Sequence, residues 1–480
     1  MSPGKSTERG LSPEQMRAAI ATLSSPDRVS SPFGDLRFFD GVPTEDTVDM
    51  IYDALDLMRG VEVFLNCVSG ASLVALRHGL RSIGVSSPAV IAFTDPSADS
   101  RALLLTPNTD TPYGSTFVDL KAWGPTVVES PPASVCFVDD FWCRYVADMG
   151  IVGPDQGQGA RYLFLPPGYD GEVPDGYFVY RPKTYTIWVV LRALGGVSDV
   201  KKSRIYPLAQ AAAPPDNQWV NAADTAYNTV HANDFTFFEE VNELVQEEAV
   251  EALDAERAGQ LAAIGIVHGQ PFSPDERRRT LLDQAARVAA GMARALVYAP
   301  RDPQATLYGN WRNAFVGGSA EFERNGARLL DARSQFYYFA VGMTPAMIRP
   351  PLGTGSVYAY TVHDGNGDIL DGGRTYRLHV DPDPPAKNFW AVNVYDTQTR
   401  SLLQVPSTIH PALTSATGDL QINAEGSHDL YFGPAAPDGH AANWVQTLPE
   451  KSWFALFRLY GPLQPWFDHT WTLNEFEPLD

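Results

Sequence analysis

A chain of 480 residues is longer than one hydrophobic core usually serves, so two or three well-buried domains are expected. Its 36 Lys and Arg against 57 Asp and Glu leave a net charge of −21, a field that repels phosphate backbones and argues against nucleic acid as a partner. Three cysteines, Cys67, Cys136 and Cys143, are too few for a disulfide framework and form no CxxC pair, which fits a reducing compartment.

The first residues, MSPGKSTERGLSPEQMRAAIATLSS, lack the apolar centre of a secretory signal and turn amphipathic instead. No run approaches the eighteen or so apolar residues of a membrane span. The expectation is a soluble, cytoplasmic protein with no membrane partner. A helix is predicted near Ser12 to Leu23, with Ser12 as cap and Met16, Ile20 and Leu23 on one face. A second begins at Thr44, where Val48, Ile51, Tyr52, Leu55 and Met58 recur at spacings of three and four and continue through Val61 and Phe64.

From about residue 90 to 200 the pattern changes to short apolar runs cut by Pro, Gly and Asp, such as AVIAFT, SVCFVDDFW and TYTIWVVLRAL. Short strands with turn chemistry between them predict an antiparallel sandwich or jelly roll. After the linker AAAPPDNQW, helical character returns. Asp234 is a plausible cap ahead of a face formed by Phe235, Phe238, Val241 and Val245, and Ser273 with Glu276 forms a capping-box pattern. Beyond residue 345 strand signals resume. SVYAYTVHDGNGDILDGGRTYRLHV reads as a hairpin around DGNGD. The expected fold class is α+β, mostly β: two jelly-roll-like antiparallel β-sandwiches with helical N-terminal and central segments. The expected division is 1–88 helical, 89–204 first sandwich, 205–345 mainly helical and 346–480 second sandwich.

No G-x-S-x-G elbow, HExxH, P-loop lysine or strand-linked GxGxxG is present, so no nucleotide or flavin motif can be named. The nine histidines are scattered, and a His-built metal site would need distant strands to converge. A divalent metal is left open. The stretch TPNTDTPYGS, residues 106–115, admits two readings. Asn108 and Asp110 can each close a local turn, with Pro112 fixing the next step; alternatively Asn108, Asp110 and Tyr113 point an amide, a carboxylate and a phenol into one cavity. Arg144 and Arg192 lie in apolar contexts where each needs a buried acceptor, Asp110, Asp139 or Asp140 being available. That pairing is either an inter-strand ion pair or a clamp for a substrate carboxylate. In NFWAVNVYD, Phe389, Ala391, Asn393 and Tyr395 alternate with Trp390, Val392 and Val394, so one face is core and the other meets water or a pocket.

At TPNTDTPYGSTFVDLKAWGPTVVESPP, FWCRYVADMGIVG, RYLFLPPGYDGEVP and PKTYTIWVVLRAL the chain resembles the domain of unknown function 1254 family. At YAYTVHDGNGDILDGGRTYRLHV, NFWAVNVYD and NWVQTLPEKSWFALFRLYGP it resembles the partner family numbered 1214, the two in fixed order over about residues 45 to 475. The resemblance implies helical segments with two jelly-roll-like sandwiches, often assembled into oligomers, and hence a homo-oligomer here. It matches Asn108, Asp110, Thr111 and Tyr113 to the family's characteristic loop and Arg144 and Arg192 to its strand arginines. It also matches Trp390, Tyr395, Trp444, Arg458 and Tyr460 to its C-terminal signatures. Pro112 departs from the usual apolar residue, and the export signal common in the family is not seen.

The expected function is that of a small-molecule-binding protein, an enzyme working by acid–base chemistry: hydrolysis, elimination or isomerisation. Asp110, Tyr113 and Arg192 are its catalytic candidates, and Asn108, Thr111, Arg144, Trp390, Asn393 and Tyr395 are its ligand-binding candidates. The alternatives are a non-catalytic module for carbohydrate or another small ligand, and a structural assembly protein.

Overall fold

The computed structural model describes residues 10–95, 99–193, 195–408 and 410–479. Helix and strand contribute equally, each 28% of the chain, in the α+β class expected. The helix Pro13–Leu23 starts as read: Ser12 accepts from the Gln15 amide and Gln15 reaches back to the Ser12 backbone. A three-stranded meander, Arg28–Ser31, Gly34–Phe39 and Val42–Pro43, follows. The strand reading of the sequence began too late to include it.

The second predicted helix runs on to become Glu45–Ser82, 38 residues, and its second half is almost wholly buried. Small residues permit this. A Cβ on Gly60 would come within 2.7 Å of the Ala285 side chain, so glycine lets the helix Glu276–Tyr298 lie directly against it. This helix is long and apolar enough by composition to cross a membrane, yet 67% of its most apolar window is packed inside the protein, as in a core helix.

The first sandwich has a six-stranded sheet, ordered Gln218–Asn221, Val90–Thr94, Tyr113–Asp119, Thr186–Leu191, Val135–Asp140 and Tyr145–Gly150. Over it lies a four-stranded sheet ordered Phe178–Tyr180, Ala160–Phe164, Thr126–Ser130 and Arg204–Pro207. Pairing is antiparallel except where Gln218–Asn221 and Phe178–Tyr180 join. Val118, Val128, Val138, Phe164, Ile187 and Ile205 fill the space between the sheets. Arg204–Pro207 straddles residue 204 and Gln218–Asn221 lies beyond it, so the sheets run past the expected boundary.

The second sandwich repeats the plan. Its six-stranded sheet is ordered Thr306–Tyr308, Trp311–Arg312, Ser356–Thr361, Trp453–Pro462, Ala386–Asp396 and Ala412–Thr414, with Trp444–Gln446, His428–Gly433, Tyr376–Val380 and Phe476–Pro478 in the other sheet. Its edge is drawn from residues assigned to the helical centre. The hairpin expected around DGNGD forms only locally, through the His363–Ile369 bridge and the backbone bonds of Asp364 to Asp368 and Leu370 to Val362; Ser356–Thr361 and Tyr376–Val380 enter different sheets, because the apolar faces of both are needed on opposite sides of one core.

Helices Thr236–Glu247, Ala255–Ala263, Glu276–Tyr298 and Leu330–Phe339 pack with the long helix. Two local readings shift. The cap of Glu276–Tyr298 is Asp275, whose carboxylate accepts from the Arg278 amide, rather than Ser273. Thr236–Glu247 buries Phe237, Phe238, Val241 and Leu244, a face turned slightly from the predicted one, while Asp234 does accept from the Thr236 amide. The largest apolar cluster joins these helices to the outer faces of both six-stranded sheets, through Phe117 and Trp188 on one side and Tyr360 and Leu456 on the other.

Candidate functional site

Between the two six-stranded sheets lies a cavity of about 270 Å³, near the small end of the range for ligand pockets, about 300–1,000 Å³. Ser72, Leu76 and Leu80 of the long helix form its floor. One wall comes from the first sandwich, including Ala92, Thr94, Tyr113, Ser115, Phe137, Trp188, Val190 and Arg192; Tyr358, Leu456 and Arg458 of the second sandwich face it. Phe336, Phe339, Val341, Thr344 and Met347 close another side. Gly342, at φ +90°, carries that closing segment across Phe137 and Trp188, where a Cβ would sit 3.0 Å from the Phe137 ring.

Strand pairing explains why polar groups gather at one end. Ser115 stands opposite Ala92 and Val190, and Val190 opposite Phe137, which itself faces Asp148. One step along, Thr94 faces Tyr113, and Arg192 follows Leu191, the partner of Gly114. Tyr113 and Arg192 are thereby neighbours, and the guanidinium stands 5.5 Å from the centre of the Tyr113 ring and 5.8 Å from that of Tyr460.

The stretch TPNTDTPYGS, residues 106–115, is the loop that rims this end. Thr106 sits at φ 38°, an uncommon conformation for a β-branched residue. It is held by its amide to Arg400 O (2.8 Å), its hydroxyl to Phe339 O (3.1 Å) and its carbonyl to Arg458 Nη2 (3.0 Å). Asn108 does both things the sequence offered: its Oδ1 accepts from the Asp110 amide at 2.7 Å, closing a turn, and its Nδ2 donates to the Tyr113 hydroxyl at 3.3 Å on the cavity wall. Asp110 stands just behind that wall. Its Oδ2 accepts from the Tyr460 hydroxyl at 2.8 Å, a bond from the first half of the chain to the second. Burial pushes the Asp110 carboxyl above its ordinary range, against the pull of Arg458, the Tyr460 bond and Arg192.

The two arginines differ. Arg458 donates through Nη2 to Thr106 O, to Pro107 O at 3.3 Å and to the Tyr395 hydroxyl at 2.7 Å. Arg192 has no hydrogen bond or ion pair from its guanidinium among the described residues, and its Nε is buried without a partner. Burial disfavours the Arg192 charge, but Tyr113, Tyr460 and Tyr358 outweigh it and hold the group above its usual range.

Other candidates fall elsewhere. Asn393 and Tyr395 grip the loop from behind: Asn393 Nδ2 donates to Thr109 Oγ1 at 3.1 Å and Tyr395 donates to Pro107 O at 2.7 Å. The second face of NFWAVNVYD thus meets the rim loop. Trp390 lies in the second sandwich's core against Phe457 and His428, away from the cavity, because it alternates with the loop-facing side chains. Arg144 is likewise structural. It pairs with Asp140 at 2.6 Å and donates to Ala252 O at 2.7 Å, which supplies the acceptors its apolar setting demands. Thr111 does not line the cavity, and its Oγ1 is buried without a partner.

Sequence reading missed Asp148. It lies in the wall, and burial raises its carboxyl to about 7, opposed by hydrogen bonds from Thr344 and the Ala346 backbone. Its sequence signal, an acidic residue alternating with Ala147 and Met149 on the strand Tyr145–Gly150, was present but unused. Cys136 also reaches the cavity; all three cysteines are free and buried. Among the described residues no group of three or more His, Cys, Asp and Glu is arranged to hold a metal ion.

Two mixed-sheet sandwiches joined by a helical layer, with a cavity between their six-stranded sheets, define an α+β protein whose halves share one interior. Two family models match parts of the chain: the one described as Protein of unknown function (DUF1254) matches residues 89–213, and the one described as Protein of unknown function (DUF1214) matches 355–464. The chain carries this pair in that order. Among solved structures, the VPA0106 protein from Vibrio parahaemolyticus is similar in fold, with TM-score 0.52 and 15% identity over 88% of this chain and 100% of that one. An uncharacterized protein from Burkholderia cenocepacia gives TM-score 0.39 at 13% identity, over 90% and 96% of the two chains. The comparison with curated proteins returns no match.

Proposed function

We propose that the cavity is the active site of an enzyme that works on a small organic molecule by acid–base chemistry. The observation that supports this is the meeting of an unpartnered guanidinium, Arg192, with Tyr113 and the Asp110–Tyr460 pair at one end of an apolar cavity. In this reading Arg192 stabilises negative charge on the substrate. The Tyr113 hydroxyl accepts from Asn108, which leaves its own proton to donate toward the cavity. Asp110, one bond behind, exchanges a proton through Tyr460 or tunes the charge felt at Arg192. Asp148, at about 7, adds a wall carboxyl suited to general acid–base work near neutrality. Proton abstraction leading to isomerisation or elimination, and hydrolysis, all use such a set.

A carbohydrate-binding module is the weaker reading, because the surface that the cavity exposes is mostly hydrocarbon and offers sugar hydroxyls few partners. Native mass spectrometry of the purified protein is the first test, since a retained small molecule identifies the substrate class. With that substrate, Asp110→Asn is expected to lower turnover by about 100-fold or more. Full turnover in that variant removes Asp110 from the chemistry.

A further inference from the structure

Building on the reading of the cavity as a small-molecule site, we propose that its ligand is a monocarboxylate with an apolar body, its carboxylate held by Arg192. Charge and donors both lead there. Two guanidiniums, Arg192 and Arg458, stand with one acid, Asp110, at the polar end, so positive charge is in excess there. Arg458 Nη2 is engaged by three acceptors, although its Nε too is buried without a partner, whereas among the described residues no guanidinium nitrogen of Arg192 has an acceptor, so the planar fork wholly on offer is that of Arg192. A planar fork suits a carboxylate. A cation beside tyrosine ring faces, away from bulk water, is costly to leave without a counter-charge.

The rest of the cavity speaks against a second charge. Leu76, Leu80, Val190, Phe336, Phe339 and Leu456 contribute hydrocarbon. The other carboxyls in the lining repel anions: Asp99, already paired with Arg101 at 2.5 Å, and Asp148. A dicarboxylate would therefore place its far end among hydrocarbon or beside another acid. A neutral alcohol of equal length would fill the same space and leave Arg192 unmet.

Isothermal titration calorimetry of the full chain with octanoate, octan-1-ol and the dicarboxylate suberate separates these cases. Octanoate is expected to bind at least about tenfold more tightly than either of the others. Arg192→Gln is expected to weaken octanoate by about 10- to 100-fold and to leave octanol unchanged, with Arg192→Lys recovering part of the loss. Matching thermal midpoints for the variants exclude misfolding as the cause. Octanol or suberate binding as tightly as octanoate, or octanoate binding that survives Arg192→Gln, overturns the monocarboxylate while leaving a small-molecule cavity in place. If none of the three binds and native mass spectrometry finds the purified protein empty, both readings fall.

Discussion

The two walls of the cavity use arginine in opposite ways. From the second sandwich, Arg458 ties two carbonyls of the rim loop to the Tyr395 phenol, so its donors hold the two halves of the chain together. From the first, Arg192 emerges between tyrosine rings and, among the described residues, donates no hydrogen bond from its guanidinium. A cation whose terminal nitrogen is taken up by three protein acceptors belongs to the scaffold; one left unengaged at a cavity is where the molecule meets something else.

The contrast breaks most readily at Arg458. Arg458→Met strands Thr106 O and Pro107 O and loosens Tyr395, and is expected to cost about 3 kcal/mol in urea denaturation. A loss below about 1 kcal/mol would mean that the rim is held by other contacts. The next effect is pH-dependent. The Asp148 carboxyl has a higher value folded, about 7, than its ordinary 3.8, so its contribution to stability is complete below about pH 4 and is lost as pH rises through 7. Asp148→Asn should therefore raise the thermal midpoint at pH 8, by an amount equivalent to about 2 kcal/mol, and change little at pH 4. An equal effect at both pH values would assign Asp148 a purely packing role. Asn393→Ala, which frees Thr109, is expected to cost about 1 kcal/mol. Smallest is Arg192→Gln, within about 1 kcal/mol of wild type in stability, since no protein acceptor is lost. A large destabilisation there would erase the distinction between the walls.

Much of this was legible beforehand. Strand runs and turn residues gave both sandwiches, and the periodicity of Val48, Ile51, Leu55 and Met58 gave the start of the long helix. Its continuation through Ser82 was hidden because a helix buried all round loses its apolar stripe. The alternation in NFWAVNVYD correctly divided core from contact face, but alternation cannot say what a face touches, and so Trp390 was grouped with Asn393 and Tyr395. Arg144 and Arg192 looked alike in sequence. Only the assembled structure shows that Asp140 forms an ion pair with the first, while among the described residues the second forms none. Asp148 escaped notice because burial, the cause of its altered acidity, is a property of the assembled walls.

The long helix changes where the working unit begins and stops. Glu45–Ser82 lies outside both catalogued segments, yet Ser72, Leu76 and Leu80 floor the cavity and Phe64 shares its apolar cluster with Trp188 and Leu456. A fragment cut at residue 89 would be a vessel without a base, its greasy underside opened to solvent. Anyone grafting, shortening or recombining this pair of domains has to carry the preceding helix along, because heredity and mechanics draw the border at different residues.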